Sequence, residues 1–406
     1  MHEVRKGEGK MLEIKGKYGK ATIHTDNIGQ ETISQVYGLL NTPLAENANI
    51  QIMPDCHAGA GCVIGTTMII EDKVCPNLVG VDIGCGVLTT ELGMIDIDFE
   101  KLDEFIKSNI PSGFSVNSNE SNSARMDVEG LIVSDVVSNK ERIYKSLGTL
   151  GGGNHFIEID TDDNGVKYLL VHTGSRNLGL QVANIYQKLA TDITEKQAVK
   201  KNELINQLKK DGRESEIEQA IKGIEKRQWD KSLDYLTGKD LNDYLHDMEI
   251  CQEFASENRK IISLKIANFL KVQIKDWFDT VHNYIDTKHR ILRKGAVSAQ
   301  EYQRLIIPIN MRDGALICTG KGNIEWNNSA PHGAGRILSR SQAKRDLKLE
   351  DFQKTMNGIY TTTATQATID EAPMAYKPID EIIENIKDTV TINKIIKPIY
   401  NFKACE

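Results

Sequence analysis

The chain has 406 residues, 40% of them hydrophobic and 26% charged, and a formal net charge of −7. That length suffices for one large domain or two or three smaller ones with real cores. The charge excludes a protein coated in basic residues, so any contact with nucleic acid must come from a local patch of Arg and Lys. The seven cysteines (Cys56, Cys62, Cys75, Cys85, Cys251, Cys318 and Cys405) are an odd set with no Cys-x-x-Cys pair. Neither a disulfide framework nor a structural zinc site is legible in them. The first twenty residues lack the apolar core of a signal peptide and no run reaches membrane-spanning length, which predicts a reduced, cytoplasmic protein without membrane association.

In chain order, residues 21–26, 49–55, 62–70 and 86–95 are rich in β-branched residues and bounded by turn residues, which predicts strands, with a short helix over 31–40. The polar stretch 111–125 predicts a loop that is mobile or orders on a ligand. From about 180 to 275 the apolar residues fall at helical spacing. Within it, 193–232 is heavily charged and predicts a solvated arm. The stripe Leu241, Leu245, Met248, Cys251, Ala255 predicts a helix packed on the core. From Arg304 the β-and-glycine texture returns, ending in a helix and a terminal strand. The expected architecture is one α/β (α+β) body of sheets flanked by helices over 1–406, with a helical arm inserted at about 180–275.

Nine histidines are few enough to weigh singly. His155 lies in GTLGGGNHFIEID, His172 ends the β-like run of KYLLVHTGSRNLG, His282 lies in WFDTVHNYID, and His332 sits in SAPHGAGR. In VGVDIGCGV, Asp82 and Cys85 are three apart among glycines, so one tight loop can aim a carboxylate and a thiolate at one point. A lone strand-end histidine is more often a core residue than a ligand. Four beside turns, together with an Asp/Cys loop, point to a metal site. Asp, Cys and three imidazoles exceed the four positions of a tetrahedral zinc centre, so either one is a bystander or two metals share the set. Spacing does not decide between manganese and zinc. Asp55 and His57 in PDCHAGAG stand between a role near RNA or metal and plain strand-end packing. Cys56, Cys62 and Cys318 are expected in the core, and His2, His24, His246 and His289 have no constellation around them.

These blocks, in this order, resemble the RtcB family of GTP-dependent RNA ligases. The matching segments are MPDCHAGAGCVIGTT, VGVDIGCGV, GTLGGGNHFIEI, VHTGSRNLG, DMEICQEFASENR, VHNYI, SAPHGAGR, EAPMAYKPID and IIKPIYNFK, spread from about residue 50 to residue 403. The resemblance implies joining of an RNA 3′-phosphate or 2′,3′-cyclic phosphate end to a 5′-hydroxyl end with GTP and Mn²⁺, in tRNA splicing or RNA repair. It implies that Asp82, Cys85, His155, His172 and His282 hold two manganese ions with Cys85 bridging, and that His332 takes GMP from GTP. Asn154, His155, Phe156, Glu158, His282, Asn283, Gly333, Ala334, Gly335, Tyr376 and Lys403 would form the guanylate pocket. Arg176, Arg336 and Arg340, beside the motifs, are the expected RNA-phosphate contacts, with a structural salt bridge as the alternative for each.

One block departs from the resemblance. Where many relatives carry a Pro-Gly-x-Met-Gly loop ending in serine, this chain has PINMRDGALICTGKGN, placing Pro308, Asn310, Met311 and Ala315 at the pocket positions and adding Arg312, Asp313 and Lys321 nearby. The difference points to a subgroup used for RNA repair. The competing readings are a metal-dependent phosphodiesterase or nuclease acting on RNA, and a non-catalytic RNA-binding protein of the same fold. A monomer is expected; protein partners are not legible.

Overall fold

Two seven-stranded sheets organise the protein, whose computed structural model describes residues 4–6, 11–59, 61–220 and 227–404. His2 and Cys405 lie outside the described residues. In spatial order the first sheet runs Val4–Lys6, Leu12–Lys15, Lys20–Ile23, Ile50–His57, Ile64–Ile69, Ile291–Lys294, Asn283–Asp286. Among the described residues its one parallel pair joins Lys20–Ile23 to Ile50–His57, and the helix Gln30–Leu40 makes the crossover such a pair requires.

The second sheet is antiparallel throughout: Asp276–Val281, Gly86–Gly93, Lys167–Thr173, Phe156–Thr161, Val390–Lys403, Gly314–Gly320, Arg304–Asn310. Side chains alternate across it. Ile157, Ile159, Leu169 and Val171 face a cluster completed by Leu102 and Ile106 of helix Phe99–Asn109 and by Ile262 and Ile266 of helix Gly238–Phe269. Phe156, Tyr168, Leu170, Ile306, Ala315, Ile317 and Ile396 form the cluster on the opposite face.

The helical region divides in two, which corrects the picture of an arm over all of 180–275. Helix Arg176–Lys210 buries Leu178, Val182, Tyr186 and Ala190 in its first half, while its second half is mostly exposed, as the charge pattern predicts. Helix Gly238–Phe269 is no appendage. Leu241, Tyr244, Met248, Cys251, Phe254, Ala255, Ile262 and Ile266 are all buried at three- and four-residue steps, and each large apolar side chain so buried contributes roughly 1.5–3 kcal/mol. The stretch 111–125 is also firmer than predicted. Gly113 N–H donates to Gly151 O at 2.9 Å, Asn117 N–H to Lys145 O at 2.9 Å, and a helix begins at Asn122.

Candidate functional site

Four ligand candidates come together because they occupy one end of adjacent strands. Gly86 pairs with Val281 and with Thr173, and His172 pairs with both Val87 and Phe156. Cys85, His282, His172 and His155 therefore lie at the same edge of the second sheet, and Asp82 hangs from the loop entering it. His282 is the residue between Asp276–Val281 of the second sheet and Asn283–Asp286 of the first, so it sits where the sheets join. The loop before Cys85 needs glycine at position 84: its φ is +74°, and a Cβ there would come within 2.9 Å of Gln252 Cα.

Cys85 Sγ is 3.3 Å from His172 Nε2 and 3.5 Å from His155 Nε2; His155 Nε2 is 3.0 Å from Asp82 Oδ2, and His172 Nε2 is 3.4 Å from His282 Nε2. Two groups of three emerge, Cys85/His172/His282 and Asp82/Cys85/His155, sharing the thiol. The imidazoles are oriented as ligands. His155 Nδ1 meets the Leu150 carbonyl at 2.9 Å and His172 Nδ1 the Asn154 carbonyl at 3.1 Å. A carbonyl only accepts, so in each ring Nδ1 donates to backbone and Nε2 faces the cluster. Burial holds His172 and His282 well below the ordinary imidazole range, so both are neutral. Burial, reinforced by the Asp82 carboxylate, holds the Cys85 thiol well above its ordinary value, so a cation is what would make it a thiolate. Two donor atoms each about 2.0–2.3 Å from one ion stand roughly 3.0–3.8 Å apart, and the spacings here match. These residues fit a metal.

Behind this cluster, Arg259 fixes both loops. It is fully buried, donates to Gly84 O at 2.8 Å and Thr173 O at 2.7 Å, and forms a two-pronged ion pair with Asp279. Asn258 beside it accepts from the Gly148 and Thr149 N–H groups and donates to Thr149 O.

His332 is set apart from the ligands. It follows the strand Ser329–Pro331, its ring centroid is 5.0 Å from that of His282, and its Nδ1 lies 2.7 Å from Oδ2 of Asp55, which also accepts the His332 backbone N–H at 3.2 Å. Asp55 is fully buried, brought inward where the pairing of Ile50–His57 with Ile64–Ile69 shifts register between Ile52 and His57. Gly335 (φ +74°) packs on the same strand, where a Cβ would meet Asp55 O at 2.2 Å, and the buried Lys377 ammonium donates to Pro54 O at 2.8 Å. His57, pushed down to about 4 by burial, lines the cleft with its Nδ1 on Asp55 O.

Around His332 opens a cleft of about 210 Å³. Of the pocket residues expected from sequence, Asn154, Phe156, Glu158, His282, Pro308, Asn310, Met311, Gly333, Ala334, Gly335, Tyr376 and Lys403 line it. His155, Asn283 and Ala315 do not. His155 faces the Asp82/Cys85 group; Asn283 braces loops, accepting from Gly295 N–H at 2.9 Å and donating to Asp82 O at 3.3 Å; Ala315 is in the apolar cluster under the sheet. Arg312 and Asp313 neutralise each other at 2.7 Å, and Lys321 binds the Lys387 carbonyl outside the cleft lining, so the charges of the variant loop add little to the pocket.

Glu371 and Asn401 line the cleft as well, and sequence reasoning passed over both. Burial raises Glu371, but Lys403, Arg340 and Arg336 around it bring its carboxyl down to about 2. Lys403 reaches it at 2.9 Å, Arg340 at 2.7 Å and Arg336 at 3.3 Å, and the Tyr376 hydroxyl donates to it at 2.6 Å. The expected RNA-contacting arginines thus differ in availability. Arg336 is committed to Glu371, Tyr376 and backbone carbonyls, and Arg176 to Thr149 and Gly113 O. Arg340, paired with Asp370 and Glu371, keeps 46% of its side chain exposed.

Among the described residues six cysteines are free and buried, and no helix is long and apolar enough to cross a membrane.

Comparison with known proteins bears on the same residues. The chain matches the family described as "tRNA-splicing ligase RtcB" over residues 35–138 and 127–404. It is 28% identical over 382 residues to the RNA-splicing ligase RtcB of Escherichia coli (strain K12), covering 85% of this chain and 87% of that one. It is 28% identical over 438 residues to the tRNA-splicing ligase RtcB of Aeropyrum pernix and over 440 residues to that of Nanoarchaeum equitans, covering 85% of each chain in both cases. The match takes in the Asp82/Cys85 loop, the histidine-bearing strand ends, the glycine loop after His332 and the terminal strand, so the chain belongs to the RtcB family.

Proposed function

We propose that the protein is an RNA ligase of tRNA splicing or RNA repair that joins an RNA 3′-phosphate or 2′,3′-cyclic phosphate end to a 5′-hydroxyl end, using GTP and two Mn²⁺ ions. One observation carries the reading: His332, bound through Nδ1 to a buried carboxylate, stands beside a ligand cluster without belonging to it. That is the arrangement of a nucleophile facing a metal-held phosphate. A phosphodiesterase could use the same imidazole as a general acid or base, so the His332-dependent GMP adduct is what separates the two readings.

With Nδ1–H committed to Asp55, the lone pair of His332 is on Nε2. Nε2 attacks the α-phosphorus of GTP, the bond to pyrophosphate breaks, and GMP remains on His332. An RNA 3′-phosphate oxygen, freed where necessary by opening of a cyclic phosphate, then displaces His332 to give an RNA–ppG end. The 5′-hydroxyl attacks the RNA phosphorus and GMP leaves. Mn²⁺ held by Asp82, Cys85, His155, His172 and His282 would neutralise phosphate charge and polarise phosphorus. Glu158 accepts the guanine N1 and N2 hydrogens, Tyr376 lies along the purine, and the Gly333–Gly335 backbone approaches phosphate unhindered. Of the arginines beside the motifs, Arg340, with 46% of its side chain exposed, provides positive charge for RNA phosphates.

The test offers a 2′,3′-cyclic-phosphate/5′-hydroxyl RNA pair with labelled GTP and Mn²⁺ to the wild type, His332→Ala and Cys85→Ala. Joining and an acid-labile GMP adduct are expected in the wild type alone. RNA cleavage without a His332-dependent adduct would establish the hydrolytic reading instead.

A further inference from the structure

Glu158 has a neighbour that the ligation chemistry above does not use. Asp160 is two residues along the same strand, so both side chains leave the face that carries Phe156. Asp160 is fully buried, and neither of its carboxylate oxygens has a hydrogen-bond donor. Its partners across the sheet are Tyr168, whose hydroxyl is spent on Asp162, and Pro398, which has no N–H. The strands Arg304–Asn310 and Gly314–Gly320 bring Ile306, Ala315 and Ile317 to the same cluster, all apolar. Among the described residues, Glu158 is the charged group that acts on it.

An ionised carboxylate so placed would be an unpaired buried charge, which proteins avoid by taking up a proton. Burial, and after it the Glu158 charge, holds Asp160 well above the carboxylate range. A neutral Asp160 has one O–H to donate, and Glu158 is the acceptor within reach. Glu158 also receives the Asn401 amide on Oε2 and feels Lys403, whose ammonium is paired with Glu371 at 2.9 Å. Burial raises Glu158, and the donors from Asp160 and Asn401 oppose that, leaving it at about 7.

We propose that Asp160 is a positioning residue for nucleobase choice: its buried, unpaired carboxyl carries a proton and donates it as a hydrogen bond to Glu158, favouring the ionised Glu158 and with it a guanine edge over an adenine edge. The inference rests on the reading of Glu158 as the guanine partner. An ionised Glu158 offers two acceptors, which match guanine N1–H and N2–H. A protonated Glu158 offers one donor and one acceptor, which match adenine N1 and N6–H. The proton on Asp160 thereby decides which purine the same pocket accepts.

Calorimetric binding of GMP and AMP to the Mn²⁺-loaded protein tests this between pH 6 and 9, with wild type, Asp160→Asn, Asp160→Val and Glu158→Gln. Asparagine retains a neutral donor, so Asp160→Asn should bind GMP within about twofold of wild type at every pH. Asp160→Val removes the donor and so raises Glu158, which should weaken GMP binding roughly 5- to 50-fold at pH 7, recovering towards pH 9, and narrow the GMP/AMP preference. Replacing an unpaired buried acid by an apolar side chain should leave the unfolding midpoint unchanged or higher. An infrared carbonyl band of a protonated buried carboxyl, present in wild type at pH 8 and absent in Asp160→Asn, is the independent readout. Tighter or unchanged GMP binding by Asp160→Val, or absence of that band, overturns the proposal while leaving Glu158 as guanine partner. Unchanged GMP binding by Glu158→Gln would instead remove the reading on which it rests.

Discussion

Replacing Asp55 by asparagine leaves the shape of the site and removes a charge from the one group that orients His332. In the wild type, Oδ2 accepts from both Nδ1 and the backbone N–H of His332, at 2.7 Å and 3.2 Å. An asparagine amide can donate to Nδ1, which moves the ring proton to Nε2 and removes the lone pair that must attack phosphorus. Even without a tautomer change, a hydrogen bond to a charged acceptor is lost, about 1.5–3 kcal/mol, which is roughly 10- to 100-fold in rate. A complete switch of tautomer sets an upper bound of about 10⁴, the scale seen where a carboxylate orients a catalytic imidazole elsewhere. Single-turnover transfer of labelled GMP to the protein isolates this step from RNA binding. Bound metal, measured alongside, should not change, since Asp55 touches none of the five ligands in the described hydrogen bonds. Transfer by Asp55→Asn within twofold of wild type would refute the assignment of Asp55 as the group that fixes the nucleophile.

Three further outcomes follow from the geometry. Cys85→Ala should lower metal content at both ligand groups together, since its sulfur belongs to each; loss of a single ion, read by metal analysis after dialysis, would place the sulfur in one group only. Arg259→Met should cost about 3 kcal/mol in denaturant unfolding by stranding Asp279 and two loop carbonyls, and a loss below 1 kcal/mol would contradict its anchoring role. Glu371 is depressed from 4.5 to about 2, so it contributes stability that is complete above pH 4.5 and is lost as pH falls towards 2, about 3 kcal/mol in all. In urea unfolding from pH 6 to pH 2.5, the advantage of wild type over Glu371→Gln should shrink through that window; parallel curves would refute the linkage.

The cluster of Asp82, Cys85, His155, His172 and His282 was legible because strand ends and glycine turns have local sequence signatures. Asp82 and Cys85 share one loop, His155 stands just before one β-like run and His172 near the end of another, and those two runs pair with each other. Asp55 stood between a role near RNA or metal and strand-end packing, and sequence could not choose, since its contact is with a histidine 277 residues later. Asn401 meets Glu158 from 243 residues away. Glu371, the first residue of EAPMAYKPID, was passed over because an acid in that position gives no local sign of the three cations that converge on it. Helix Gly238–Phe269 was correctly read as packed on the core. That its Asn258 and Arg259 hold the ligand loops was not readable, because a buried arginine on a charged helix looks like a solvated one until the sheet is placed beneath it. The loop at 308–315 was weighted too heavily: its new charges cancel within the turn, and Ala315 lies under the sheet.

The junction of the two sheets explains why nucleophile and ligands can keep a fixed spacing. His332 hangs from the first sheet through Asp55, whereas Cys85, His155 and His172 belong to the second. His282 is held to both: its N–H donates to Cys85 O at 2.9 Å, and its carbonyl accepts from Ala296 N–H at 3.2 Å, next to Gly295, which pairs closely with the first sheet. At Gly295 (φ +61°) a Cβ would meet Ile64 Cγ2 at 2.2 Å and stand 3.2 Å from His332 Cε1. His332 is therefore seated against backbone at the joint itself and not on a separate loop. A rotation of one sheet against the other would have to break the His282 backbone bonds before it could move His332 away from the ligand cluster. Strain of that kind is what a site for in-line attack must resist, because an error of about 1 Å in the attacking atom can cost about 10²-fold in rate. The fold spends its buried polar groups at this joint for positional accuracy; Asp55, Asn283, Arg259 and Lys377 each tie one loop of the site to a strand that cannot easily shift.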